Sequence, residues 1–172
     1  MLKIFGIAIV VGVCGYLGYL EKDNLRQREN QLQAMIFAVN MMADRISYGR
    51  EPLDVILQKT AESLQGVAAD FLAATGSELS RGNGRVLSEI WCRQLKAFRT
   101  RAAFNESDYT VLKDLAEGLG VSHTEDQLQK LHLSLGRLEQ NYLEAKASRE
   151  RLGKVFQASG WCLGMVLVLL FA

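Results

Sequence analysis

The residues of this chain that could do chemistry are two histidines, three cysteines and several acidic pairs, and their spacing argues against a reaction site. His123 and His132 fall on no common helical turn, and neither has Cys, Asp or Glu at metal-ligand spacing. Glu125 and Asp126 open a predicted helix, where the N-terminal partial charge accounts for carboxylates without acid–base work. We therefore predict no metal site and no catalytic residue.

Glycine and cysteine patterns point the same way. Residues 118–120 (GLG) read as a helix end, and residues 81–85 (RGNGR) lack the strand and the Lys-Thr pair of a phosphate-binding loop. Cys14, Cys92 and Cys162 form no CxxC pair, so reduced, packing cysteines are expected. The sequence thus predicts no cofactor, no small-molecule substrate and no enzyme.

Both ends of the chain are apolar over a length that could cross a membrane. The segment from Ile4 to Leu20 carries no charge and, as a helix, covers roughly 26 Å of a hydrocarbon layer about 30 Å thick. The segment from Val155 to Ala172 has only Gln157 and Ser159 as polar interruptions. We predict transmembrane spans at 1–20 and 155–172, with a cleaved signal peptide and a buried last helix as the respective alternatives.

Basic residues near the predicted spans set the orientation. Outside residues 21–154 only Lys3 is basic, whereas several lysines and arginines lie just inside, namely Lys22, Arg26, Arg28, Lys146, Arg149, Arg151 and Lys154. The positive-inside rule then predicts a multi-pass protein of the cell membrane, with residues 21–154 in the cytoplasm and both termini on the opposite face.

The middle segment reads as one all-α domain. Its 19 acidic residues are balanced by the basic residues left when Lys3 is excluded, so no net attraction to nucleic acid is expected. Pro52 is the only proline, and alternating β-branched runs are absent. We predict a six-helix bundle inserted between the two spans, which continue directly into the long first and last helices.

Apolar spacing and capping signals define the six helices. The first helix carries an apolar stripe at steps of seven, four and three residues, namely Leu25, Leu32, Ile36, Val39, Ala43 and Ile46. The last carries one at steps of three and four residues, namely Leu128, Leu131, Leu135, Leu138, Tyr142 and Ala145. Pro52 starts the second helix, Gly66 precedes the third, and Val86 is the first apolar position of the fourth. Asn105 to Asp108 and Ser122 to Glu125 resemble N-terminal caps of the fifth and sixth.

Two sets of residues are candidate interfaces. A basic block accompanies the fourth helix and is a candidate partner-binding surface. It comprises Arg81, Arg85, Arg93, Lys96, Arg99 and Arg101. The alternative is that this block and the acidic stretch that follows it are two solvated helix faces that neutralise each other. Small residues in the spans favour helix packing within the membrane, namely Gly12, Gly15, Gly18, Gly160 and Gly164. Self-association is left open.

Three stretches together carry a resemblance over essentially the whole chain. They are REPLDVIL at 50–57, EIWCRQL at 89–95 and LGVSHTEDQLQKLHLSLGRLE at 119–139. With the two terminal spans, this pattern resembles the stage III sporulation protein AB family of endospore-forming bacteria. The family often has Asp-Arg-Glu before the glutamine of the last helix, where this chain has His123 to Asp126, a difference confined to a helix cap.

The resemblance implies a role in the channel complex that joins the mother cell to the forespore. The cytoplasmic domain of the family is similar to the inner-membrane platform protein of type II secretion and type IV pilus machines. By that analogy the partner is the secretion-type ATPase of the complex, stage III sporulation protein AA, and the protein is a non-enzymatic subunit linking this ATPase to the membrane. The alternative from the residues is a membrane-tethered enzyme or ligand sensor with a pocket inside the bundle.

The predicted spans lead to a solubility test of the intact chain. Because two uncharged, largely apolar helical segments would expose their surfaces to water, the purified protein is expected to need detergent to remain dispersed. Size-exclusion chromatography with and without detergent measures this, and a monodisperse peak in plain buffer would contradict the membrane prediction.

Overall fold

The structure, a computed structural model, describes the backbone of residues 2–48, 51–82, 84–119 and 124–171, and the side chains of 22–48, 51–82, 84–119 and 125–152. In these ranges the chain forms six helices and no strand. They are α1 (Leu2–Tyr48), α2 (Leu53–Glu62), α3 (Val67–Ser80), α4 (Leu87–Phe98), α5 (Glu106–Gly118) and α6 (Thr124–Phe171). The all-α prediction is confirmed.

The helices pack in a closed circuit. The two long helices α1 and α6 make the most extensive contact, α5 packs on α6, α4 on α5, α3 on α4, and α2 lies between α3 and α1. Because α1 and α6 belong to the two ends of the chain, the circuit closes through its first and last elements. The four short helices are therefore held between the two long helices, with α2 and α3 packed on α1 and α5 packed on α6.

The predicted stripes form the core. Leu32, Val39, Leu131 and Leu138 are buried almost completely, and the stripe residues between them are partly buried. Val86 departs from its prediction, because it is the N-cap of α4 and 55% of its surface is exposed. The apolar face of α4 begins one residue later, at Leu87.

The turns and caps follow the expected local chemistry. Gly66, Gly82 and Gly84 have positive φ angles of 72°, 63° and 68°, a backbone conformation that residues other than glycine rarely adopt. Asn105 and Asp108 form the predicted capping box at the start of α5, each side chain accepting from the other residue's backbone N–H at 2.9 Å. The predicted cap from Ser122 lies outside the described residues.

Trp91 is the central side chain of the short helices. It is fully buried, its indole N–H donates to the Leu112 carbonyl at 2.8 Å, and Phe71 packs edge-on against its ring at 4.7 Å between centroids. One side chain thereby ties α3, α4 and α5 together.

The prediction of two membrane spans concerns residues whose side chains the structure does not describe. Within the side chains that the structure describes, no helical stretch is long and apolar enough to cross a membrane. The two predicted spans lie outside that part of the chain, as do the five glycines proposed for helix packing, Gly12, Gly15, Gly18, Gly160 and Gly164.

A buried polar clamp joins α1, α5 and α6. Asp108 is fully buried and accepts two hydrogen bonds from the Arg28 guanidinium, at 2.7 and 3.0 Å, and one from the Asn141 amide at 2.8 Å. With the capping N–H of Asn105, both carboxylate oxygens are satisfied. Each group stays buried only because the others satisfy it.

A second polar contact lies beside the clamp. Arg149 of α6 places its Nε 3.0 Å from Oε2 of Glu29, which is 7% exposed. The N–H does not point at this oxygen, so the pair is an electrostatic contact rather than an aligned hydrogen bond. Charged groups therefore cross-link α1 and α6 at the end of the domain from which the chain termini extend.

The clamp predicts a strong asymmetry between single and double substitutions. Asp108→Ala leaves the Arg28 guanidinium buried without a counter-charge, which is expected to cost about 3–5 kcal/mol in the free energy of unfolding. Combining Asp108→Leu with Arg28→Met removes both charges and is expected to cost clearly less. Urea unfolding of the detergent-solubilised chain, followed by Trp91 fluorescence in a Trp161→Phe background, measures both. Equal losses in the two variants would contradict the role of the clamp.

Candidate partner-binding site

Four of the six predicted basic residues have acidic partners within the domain. Glu78 of α3 receives both Arg85, at 3.5 Å, and Arg93 in a closer contact, and it also accepts from Gln94 at 2.8 Å. The other two arginines lie beyond the end of α4, where Arg101 pairs with Asp70 at 2.6 Å. Arg99 contacts the Glu106 carboxylate at the start of α5.

These pairs are mostly solvent-exposed. The side chains of Arg99 and Arg101 are each 57% exposed, so water screens their ion pairs and each stabilises the fold only slightly. Their main effect is to cancel the positive potential of this part of the surface. The predicted basic block is thus divided into neutralised segments.

Arg81 and Lys96 differ from the other four. Both side chains are exposed, and neither makes an ion pair within the described residues. Arg81 caps the end of α3, whereas Lys96 lies in the last turn of α4. The structure therefore does not bring these two cations into one site.

Lys96 belongs to a surface groove between α4 and α5 of about 310 Å³. From α4 the groove is lined by Cys92, Leu95, Lys96 and Arg99, and from α5 by Glu106, Tyr109, Thr110 and Lys113. Lys113 is also exposed and has no ion-pair partner in the described part of the chain. With three cations and one carboxylate, the lining is net positive and open to water. We name this the α4–α5 groove.

Tyr109 lines the α4–α5 groove, and two contacts with Arg99 hold its side chain in place. The Arg99 guanidinium lies 5.0 Å from the centre of its ring, and the tyrosine hydroxyl donates to the Arg99 carbonyl at 3.3 Å. Partial burial raises the pKa of Tyr109, and the positive charge of Arg99 opposes this only in part. The phenol is therefore neutral at physiological pH, and because its O–H already donates to the Arg99 carbonyl, its oxygen remains available as a hydrogen-bond acceptor.

The sequence prediction missed half of this groove. On α5, Lys113 follows Tyr109 by four residues and Thr110 by three, and on α4, Cys92, Lys96 and Arg99 follow each other at steps of four and three. That spacing indicates two helix faces, but it does not indicate that they are neighbours. Only the packing of α4 on α5 brings the two sets together.

Other chemistry receives no geometric support in the described residues. No three His, Cys, Asp or Glu side chains there come together as metal ligands, and His132 instead lies on the surface with Nδ1 2.7 Å from the Leu128 carbonyl. The apolar void beneath α4, lined by residues such as Met35, Phe71 and Leu112, measures about 10 Å³. A space of that size holds at most one water.

Comparison with known proteins bears out the resemblance. The family described as stage III sporulation protein AB matches residues 3–172 of the chain. Stage III sporulation protein AB of Bacillus subtilis (strain 168) is similar at 25% identity over 170 residues, which are 99% of each chain.

A solved structure agrees with this similarity. The structure of a stage III sporulation protein AB has a TM-score of 0.69 and 25% sequence identity, and the match covers 73% of this chain and 98% of that one. Since the family match also extends over nearly all of the sequence, the protein belongs to the stage III sporulation protein AB family.

Proposed function

We propose that the protein is a non-enzymatic platform subunit of the mother cell–forespore channel complex, linking a cytoplasmic secretion-type ATPase to the membrane. The predicted spans anchor it in the mother-cell (outer forespore) membrane. Residues 21–154 then lie in the mother-cell cytoplasm, and both termini lie on the opposite face. Membership of a sporulation family supports this setting.

The observation that carries the proposal is the continuity of the two long helices. α1 is helical from Leu2 to Tyr48 and α6 from Thr124 to Phe171, without a loop between the domain and either predicted span. The Arg28–Asp108–Asn141 clamp and the Glu29–Arg149 contact cross-link the helices where they leave the domain. A displacement of the short helices would thus reach the bilayer without being absorbed by a flexible linker.

The α4–α5 groove is the proposed docking site for the ATPase, stage III sporulation protein AA. Lys96 and Lys113 are the cations of this groove that make no ion pair within the described residues, and Tyr109 contributes an amphipathic ring to the same lining. Such a surface suits an acidic segment of a protein partner, because the charges guide encounter and the aromatic ring supplies contact area. The alternative of a ligand sensor would require an interior pocket, and no observation favours it.

Rigid coupling predicts that flexible junctions abolish function. A Gly-Ser-Gly-Ser insertion after Asp23 and another after Arg151 would break both helices between the clamp and the predicted spans while leaving the clamp intact. Cells with this variant as their only copy are expected to form far fewer heat-resistant spores at an unchanged protein level. The same insertion after Gly82, in an exposed turn, is the control and should sporulate normally. Full sporulation of the junction variant would exclude rigid coupling.

The docking proposal predicts a charge-reversal effect confined to the α4–α5 groove. Lys96→Glu combined with Lys113→Glu is expected to lower co-purification with stage III sporulation protein AA roughly tenfold, because two favourable surface charges become repulsive. Arg81→Glu is the matched control, since Arg81 is also exposed and makes no ion pair in the part of the chain that the structure describes, but lies outside the groove. Circular dichroism checks that all variants remain helical. Equal losses of co-purification in both variants would contradict docking at the α4–α5 groove and indicate a contribution from the whole basic surface. No loss in either variant would exclude the groove as the docking site.

A further inference from the structure

The α4–α5 groove has two ends that differ in charge. At one end Lys96 and Lys113 lie on opposite walls, and neither makes an ion pair among the residues that the structure describes. At the other end, next to the connection between the two helices, Arg99 contacts the Glu106 carboxylate. A carboxylate of the same chain thus neutralises one end of the groove and leaves the other end positive.

Arg99 is positioned by contacts that do not depend on Glu106. Its guanidinium lies 5.0 Å from the centre of the Tyr109 ring, and its backbone carbonyl accepts the Tyr109 hydroxyl at 3.3 Å. A guanidinium that lies over an aromatic ring still has N–H groups at its edge to donate to a carboxylate. Removal of the Glu106 carboxylate would therefore leave Arg99 in the groove with donors available to another anion.

Glu106 is held less firmly than Glu78 of α3. The side chain of Glu106 is 80% exposed, and within the described ranges Arg99 is its one ion-pair partner. Glu78 is 15% exposed, contacts two arginines and accepts from Gln94 at 2.8 Å. Because an exposed ion pair stabilises the folded chain only slightly, a carboxylate supplied by a bound partner can take the place of Glu106 at Arg99.

The positive end of the groove would bring such a carboxylate close to Arg99. Lys96 and Lys113 attract acidic segments, and Arg99 follows Lys96 by three residues, which is about 4.5 Å along a helix. A partner segment with two carboxylates about one helical turn apart can thus place one beside the lysines and the other at Arg99. A segment with a single carboxylate gains only one of these contacts.

We propose that Arg99 is a carboxylate-binding position of the α4–α5 groove, which Glu106 occupies in the free domain and an acidic residue of the docked partner occupies in the complex. Glu106 is then an internal competitor, which weakens binding of single carboxylates and favours segments that also engage Lys96 and Lys113. The inference rests on the proposed function, since it takes the groove as the docking site of an acidic protein segment. It adds the contact that decides which acidic segments are accepted.

Binding of an acidic peptide to the detergent-solubilised full chain tests the competitor role. The probe is fluorescein-labelled hexaglutamate at low ionic strength, and fluorescence anisotropy gives its Kd. Glu106→Gln is expected to lower the Kd roughly threefold, because it releases Arg99 at an exposed site where one ion pair has a small effect. Asp70→Asn is the matched control, since it removes the same charge and releases Arg101, whose side chain is as exposed as that of Arg99 but lies outside the groove. Absence of binding, or an equal decrease of the Kd in both variants, would overturn the proposal.

A double-mutant cycle separates release of Arg99 from a general gain of positive charge. In a chain that carries Arg99→Gln, the additional change Glu106→Gln is expected to leave the Kd of hexaglutamate nearly unchanged, because there is no guanidinium to release. Trp91 fluorescence in a Trp161→Phe background checks that every variant is folded. A decrease of the same size in both backgrounds would mean that Glu106 acts only through its charge, and would overturn its displacement by a partner carboxylate.

Co-purification with stage III sporulation protein AA distinguishes this inference from the proposed function. Glu106→Gln is expected to raise the yield of the ATPase, whereas Asp70→Asn should not. If hexaglutamate binds as expected but no groove variant alters the yield, the ATPase is not the partner of the groove and the role of Arg99 stands. If Lys96→Glu with Lys113→Glu lowers the yield but Glu106→Gln changes neither the yield nor the Kd, docking stands and the role of Glu106 is overturned.

Discussion

The arrangement of the long helices depends on one buried carboxylate. Asp108 is inaccessible to water, so its charge is tolerable only while Arg28 and Asn141 supply hydrogen bonds. Apolar stripes hold α1 and α6 together but allow sliding and rotation, because burial of hydrocarbon has no preferred direction. A bidentate pair between a planar guanidinium and a carboxylate does have a preferred direction, so Arg28 and Asp108 fix α1 relative to α5, and the Asn141 amide adds α6.

The surface charges follow a different rule from the buried pair. Glu78, Glu106 and Asp70 take up most of the arginines around α4, which leaves this near-neutral domain with little long-range field. Exposed pairs of this kind contribute little to stability, but they determine which cations remain available. Lys96 and Lys113 are available because no acidic side chain of α3 or α5 reaches them, and they lie on opposite walls of one groove.

Local features of the fold were predictable from the sequence, whereas contacts between distant segments were not. The stripes of α1 and α6 and the Asn105–Asp108 cap depend on neighbouring residues, and each was predicted. The partner of Asp108 is Arg28, 80 positions away, which the sequence suggested only as a marker of membrane orientation. The α4–α5 groove was half predicted for the same reason, since Lys96 and Arg99 stood out as charges but Tyr109 and Lys113 gained meaning only through packing. Val86 shows the limit at helix boundaries, where one residue separates an exposed cap from a buried face.

Closure of the circuit through α1 and α6 has a consequence for biosynthesis. α1 leaves the ribosome first, yet its apolar stripe is covered chiefly by α6, which begins only at Thr124. Until α6 has been made, this stripe lacks its final neighbours and the Asp108 carboxylate lacks the Asn141 amide. Docking of α6 is therefore a late event that completes the whole bundle. A prematurely terminated chain would leave the apolar stripe of α1 exposed, and chaperones and proteases recognise such surfaces.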